Sequence, residues 1–149
     1  MQLRWPFSKD FNELVFRILF SSIFLGLGGE HLLADDMIQN LMPTWVPWPR
    51  GVSIASGLVL LFGGTLVLIG YRVHLAAYIL GAFLVAVTLT VHVPAVFIDM
   101  PTLPEQHQWL WTVLQRSNLV KNMCLLGVCF QLGYHRTGRY SLDGWQGRA

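Results

Sequence analysis

Residues 17–33, RILFSSIFLGLGGEHLL, decide the fold. The stretch is apolar in its middle and ionisable at both ends, with Arg17 at one and Glu30-His31 at the other. At the ~100° per residue of a helix, Arg17, Ser21, Phe24, Gly28 and His31 share one face. A membrane-spanning face that carries an arginine, a serine, a glycine and a histidine avoids lipid and looks at other helices. Extended back to residue 12, the segment reaches the ~20 residues needed to cross ~30 Å of hydrocarbon.

The composition agrees. Of 149 residues, 54% are hydrophobic and only 12% charged, about half the charge of an ordinary soluble domain. The net charge of +2 is too small to argue for nucleic acid, and the ten basic residues form no run. The length fits one domain, 1–149. The N-terminal MQLRWPFSKDFNEL lacks the pattern of a cleavable signal, so the first span is expected to be retained. Trp5, Pro6 and Phe7 suit a membrane–water interface.

Three further apolar segments supply the partners. The expected spans are 12–33, 51–70, 74–97 and 117–134, an all-α integral membrane four-helix bundle. Between the first two, ADDMIQNLMPTWVPWPR holds prolines at 43, 47 and 49, which forbid a continuous helix. Trp45 and Trp48 suggest that it lies at the membrane surface, with a short amphipathic turn around residues 37–42. In the second span Ser53, Gly57, Leu60 and Gly64 share a face of mostly small residues, which lets helices approach closely. A turn at Tyr71-Arg72 makes spans two and three a hairpin. The third span places His74, Tyr78, Gly81, Val85, Thr88 and His92 on one face, and Pro94 and Pro101 bring it to its end. The loop 98–116 again mixes proline with Trp109 and Trp111. The fourth span aligns Asn118, Asn122, Leu125 and Cys129.

Four spans put both termini on one side. That side carries Arg4, Lys9, Arg72, Arg136, Arg139 and Arg148; the other carries mainly Arg50 and Arg116 beside Asp35, Asp36, Asp99 and Glu105. The positive-inside rule makes the termini cytoplasmic and the two tryptophan loops external, as expected for a multi-pass protein of a bacterial inner membrane.

This topology brings Glu30, His31, His92, Lys121 and Asn122 to one depth near the outer face. On an ideal helix Glu30 points away from His31. Ionisable groups are costly in a bilayer and mark sites there. The plainer reading is that each is solvated separately among the headgroups. If they converge, His31 and His92 suit two chemistries. They could ligate a haem iron or another transition metal, with Lys121 or Asn122 behind them. With Lys121 they could instead bind and protonate a quinone headgroup. An inner polar set of Arg17, His74 and Tyr78, with His135, reads more simply as groups facing headgroups. Arg17 itself either snorkels to the interface or reaches inward to a partner. Cys124 and Cys129 read as small buried hydrophobes, and no C-x-x-C pair argues for thiol–disulfide exchange. There is no P-loop, dinucleotide fingerprint, G-x-S-x-G or H-E-x-x-H.

The chain resembles the DoxX family of small four-helix bacterial membrane proteins, which includes MauE-like relatives. The resemblance rests on the arginine opening the first span, GLGGEHLL closing it, SGLVLLFGGTLVLIG after a proline-rich loop, TLTVHVPAVF closing the third span and NLVKNMCLLG opening the fourth. It implies a four-helix bundle in the cytoplasmic membrane and a redox-associated role. Founding members are linked to a thiosulfate:quinone oxidoreductase, MauE to methylamine dehydrogenase maturation, and others to thiol stress. The expected function is a subunit of a membrane oxidoreductase with a polar site at its outer mouth. Two rivals stand beside it. One is a non-enzymatic subunit that docks an extracytoplasmic partner through Trp45, Trp48, Trp109 and Trp111. The other is a small transporter, which would need several copies because four short spans leave little room for a pore.

Overall fold

The computed structural model describes residues 8–101 and 103–148, which are helical or irregular without any strand. Trp5, Pro6 and Phe7 lie outside the described residues. Helix α1 spans Lys9–Leu33 and starts at Ser8, whose side chain accepts the Phe11 N–H. The short α2 covers Asp35–Leu41, where the amphipathic turn is expected. Helix α3, Pro49–Ile69, begins with proline at its first position, where a missing N–H costs nothing. Helix α4, Val73–Val87, runs through a π turn at Thr88–His92 into a last short turn α5, Val93–Ala95. Helix α6 is Gln108–Leu132, and α7, Leu142–Trp145, lies in the C-terminal tail.

The helices α1, α3 and the run Val73–Ala95 are long and apolar enough to cross a membrane. The long α6 begins nine residues before the expected position 117 and is less apolar, because Gln108, Gln115, Arg116, Asn118, Lys121 and Asn122 interrupt it. The long helices pack in chain order: α1 on α3, α3 on α4, and α4 on α6. Large apolar side chains such as Leu19, Leu58, Phe62, Leu89 and Phe130 point outward. Such a surface suits lipid, where outward apolar groups cost nothing.

The expected faces of α1 and α3 are the buried ones. Arg17, Ser21, Phe24 and Gly28 are buried on α1, and Ser53, Gly57, Leu60 and Gly64 on α3. The two helices meet through glycine. A Cβ on Gly28 would lie 3.1 Å from the Gly57 carbonyl oxygen, and one on Gly57 would lie 3.1 Å from the Gly28 carbonyl oxygen. Any larger residue at either position pushes the two backbones apart.

The expected face of the third span is only partly right. His74, Tyr78 and Val85 point outward, whereas Val73, Ala76, Ala77, Leu80, Gly81 and Leu84 are buried. Along α4 the stripe is out of phase with the buried side, and after α4 the π turn breaks the α-helical count. That turn closes the Val93 N–H on Thr88 O and fits an extra residue into one turn, so all that follows is rotated from its α-helical direction. Pro94 accounts for the next step. In an α-helix its N–H would bond the Thr90 carbonyl, but proline has none. The Trp45 indole donates to Thr90 O instead (2.9 Å), tying the α2–α3 loop to the end of α4.

Trp111 does similar work from α6. It is 3% exposed, and its N–H reaches Ala95 O (3.1 Å) and Ile98 O (2.9 Å). Gln108 fastens the loop further, through Met100 N, Met100 O and Leu103 O. Of the four tryptophans considered for docking, Trp111 is therefore core, while Trp48 and Trp109 are exposed.

Candidate functional site

Two polar centres sit at opposite ends of the helices. The first lies at the end capped by α2 and the 98–107 loop. Here α1, α3, α4, its π turn and α6 surround a cavity of about 330 Å³, with α2 and the following loop across it. All five residues expected at the outer mouth line it: Glu30 and His31 from α1, His92 from the π turn, Lys121 and Asn122 from α6. Glu30 borders the cavity beside His31 despite its different helical direction. The rest of the wall is largely apolar, with Phe24, Leu60, Phe83 and Leu125 among the side chains.

Both histidines are held by one ring nitrogen. Ser53 Oγ donates its single proton to His31 O (3.2 Å), so the same oxygen accepts from His31 Nδ1 (3.2 Å). His92 Nδ1 donates to Gln115 Oε1 (2.9 Å), on a buried Gln115. Each neutral ring thus keeps its Nε2 lone pair for something else. Asn122 is buried and spends its amide on Thr88 Oγ1 (3.1 Å); Lys121 donates to Asn118 Oδ1 (3.0 Å). Asn118 stood on the aligned face of the fourth span, but Gln115 did not stand out in the sequence. The signal was there, since 115, 118 and 122 follow i, i+3, i+7 spacing on one face of α6.

The described residues hold no group of three or more His, Cys, Asp or Glu side chains placed to bind a metal ion. Cys129 is buried as expected, but Cys124 is exposed on the outer surface of α6, so the two are far from forming a common site.

The second centre lies at the end that carries both termini. Arg17 is 1% exposed and reaches inward instead of snorkelling. Its guanidinium donates to Leu68 O (2.8 Å) in the last turn of α3 and to Tyr140 O (2.5 Å) in the C-terminal tail. Glu13, one turn back, pairs with Arg17 (3.7 Å) and with His135 Nε2 (2.5 Å). His74 Nε2 donates to His135 O (2.9 Å). Glu13 was missed in the sequence, although its i, i+4 spacing to Arg17 is an ordinary helical ion-pair signal. Tyr78 takes no part, being 68% exposed on the outer face of α4.

The same end shows why Gly70 is glycine. It caps α3 in a left-handed conformation (φ 66°), and a Cβ there would meet Arg17 Nη1 at 2.5 Å. The Asp143 backbone N–H donates to Gly70 O (3.0 Å), and Asp143 Oδ2 accepts the Arg72 N–H (2.7 Å). The C-terminal segment is thus bonded to the α3–α4 turn. This centre is a structural lock: Arg17 reaches α3 and the C-terminal tail, and Glu13 and His74 both reach His135.

The family model described as DoxX matches residues 13–93, more than half of the chain. The match takes in α1, α3 and the π turn with His92, and stops before α6. No curated protein and no solved structure matches the chain significantly. With its apolar helices and this match, the chain is a membrane protein of the DoxX family.

Proposed function

We propose that the cavity between α1, α3, α4 and α6 binds the headgroup of a quinol or quinone, and that the chain serves as the quinone-handling subunit of a membrane oxidoreductase. The observation that carries this reading is the pair of histidines with committed Nδ1 and free Nε2 in the wall of one mostly apolar cavity. A cavity of this size, apolar with a few fixed polar groups, is the usual form of a small-molecule site. A quinol presents two hydroxyl groups across an apolar ring, and each neutral imidazole Nε2 accepts such a proton donor. Lys121 supplies a donor for a carbonyl or phenolate oxygen, and Glu30 offsets its charge. Haem fits less well: two histidines are the whole donor set, and the porphyrin is larger than a single quinone ring.

The topology that goes with this reading has α6 as a fourth span, making a four-helix bundle with both termini in the cytoplasm of a bacterial cell and the cavity near the outer face. Support comes from the even number of long helices and from the basic residues at the terminal end. The electron-transfer partner would then meet the chain at the outer surface, where Trp48 and Trp109 are exposed.

The test is quinone content and binding in the full chain purified in mild detergent, with an absorption spectrum and metal analysis of the same sample. Bound quinone, lost in His31→Ala and His92→Ala variants that keep the wild-type unfolding temperature, is the expected result. Binding unchanged in both variants overturns the assignment. A Soret band that the two variants lose would replace quinone by haem.

A further inference from the structure

A second cavity, of about 340 Å³, opens at the terminal end between the start of α4 and the tail that follows α6. His74, His135, Arg136, Thr137, Asp143 and Arg148 line it. Its chemistry differs from that of the first. Two guanidinium groups border it, and neither is consumed by an acid among the described residues. Arg136 is exposed. Arg148 lies over the Tyr71 ring (5.7 Å to the centroid), with its backbone N–H on Asp143 O (2.8 Å), which fixes where the side chain starts. Asp143, the one carboxylate in the wall, already accepts the Arg72 N–H. The two histidine rings are also engaged, His74 with His135 O and His135 with Glu13. Two guanidinium groups against the single Asp143 carboxylate leave the wall net positive, and that charge comes from arginines, whose planar forks match phosphate oxygens.

The location says what kind of phosphate. The cavity lies at the start of α4 and beyond the end of α6, at an end of helices long and apolar enough to cross a membrane. Directly along the helices from it lie outward apolar side chains: Leu75 and Tyr78 on α4, Phe130 and Tyr134 at the end of α6. A soluble phosphate has no use for that surface, whereas acyl chains attached to a headgroup lie along it. We infer that this cavity holds the phosphate of an anionic phospholipid, with Arg136 and Arg148 as its charged contacts. The bound lipid bridges the α4 start to the C-terminal tail, adding to the lock made by Arg17 and Asp143. The inference is independent of any ligand in the cavity at the other end.

The experiment uses the full chain in nanodiscs of phosphatidylglycerol and phosphatidylethanolamine in equal amounts, extracted gently and analysed for retained lipid by mass spectrometry. Wild type is expected to retain phosphatidylglycerol preferentially. At about fivefold per basic side chain near a membrane surface, the Arg136→Gln/Arg148→Gln double variant is expected to bind it ~30-fold more weakly. Arg50→Gln, at the opposite end, is expected to keep the wild-type preference. An unchanged preference in the double variant overturns the inference. So does an equal loss in Arg50→Gln, which would mean bulk charge and no site. Saturable binding of inorganic phosphate in lipid-free detergent, without lipid enrichment, would assign the cavity to a free anion and overturn the lipid assignment.

Discussion

Arg17 shows how much one side chain can hold. A guanidinium buried in an apolar helix is costly alone, yet here it bonds two backbone carbonyls from two other segments and faces Glu13. Replacing it by glutamine removes the charge and the fork, leaving Glu13 to His135 alone and Leu68 O and Tyr140 O without their donor. A loss of roughly 2–4 kcal/mol is expected, read as a lower unfolding temperature in detergent. Arg17→Lys keeps the charge without the two-pronged geometry and is expected to fall between wild type and glutamine. An unfolding temperature equal to wild type in both variants would mean the tail is held by other contacts. Gly28 makes the opposite argument, from the absence of a side chain. Gly28→Val drives its branches into Leu61 and the Gly57 carbonyl, and overpacking of about 1–3 kcal/mol is expected in the same assay. At this scale the sequence was informative about which residues are special. It was silent about their partners, since Leu68 and Tyr140 act through backbone carbonyls that any residue type carries.

Among the elements, the π turn at Thr88–His92 has the largest consequence. It fits an extra residue into the turn that ends at His92, which lines the first cavity, whereas His74 at the opposite end of α4 borders the second. Inserting one alanine after Val91, with the single π turn kept, turns His92 by ~100° relative to the buried face of α4. Loss of quinone binding is expected, measured by quinone retained in the purified variant, with α-helical content by circular dichroism kept. Retained binding would show that His92 is dispensable. Trp45→Phe tests the neighbouring bond. It leaves Thr90 O without the indole donor and is expected to cost about 1 kcal/mol in stability, with little change in the rest of α4. The sequence held the ingredients of this turn, Pro94 above all. An α-helical stripe drawn from His74 to His92 could not anticipate it, because the extra residue per turn is chosen by packing against α6 and the α2–α3 loop.

For the whole molecule, the course of α6 decides how the helices sit in the membrane. With α6 crossing, both termini share a side and residues 98–107 face the other. Protease-cleavable tags are expected to be protected at both termini in intact spheroplasts and cleaved when inserted in that loop. Opposite exposure of the two termini would mean that α6 lies outside the bilayer, and would place the wall it gives the cavity in the headgroup layer.

Hydrophobic runs of membrane length and the proline-rich breaks between them were enough to determine a helical membrane protein, and glycine spacing marked faces suited to close approach without naming which helices meet. These are local properties: length, periodicity and side-chain size are written residue by residue. The tertiary structure alone decided that Glu30, His31, His92, Lys121 and Asn122 share one wall, that Ser53 and Gln115 fix the two imidazoles, and that the tail returns to Arg17. Each of those facts depends on helices far apart in the chain meeting at a given rotation. A single π turn or a pair of facing glycines changes that rotation without altering the pattern of apolar residues that announces the helix.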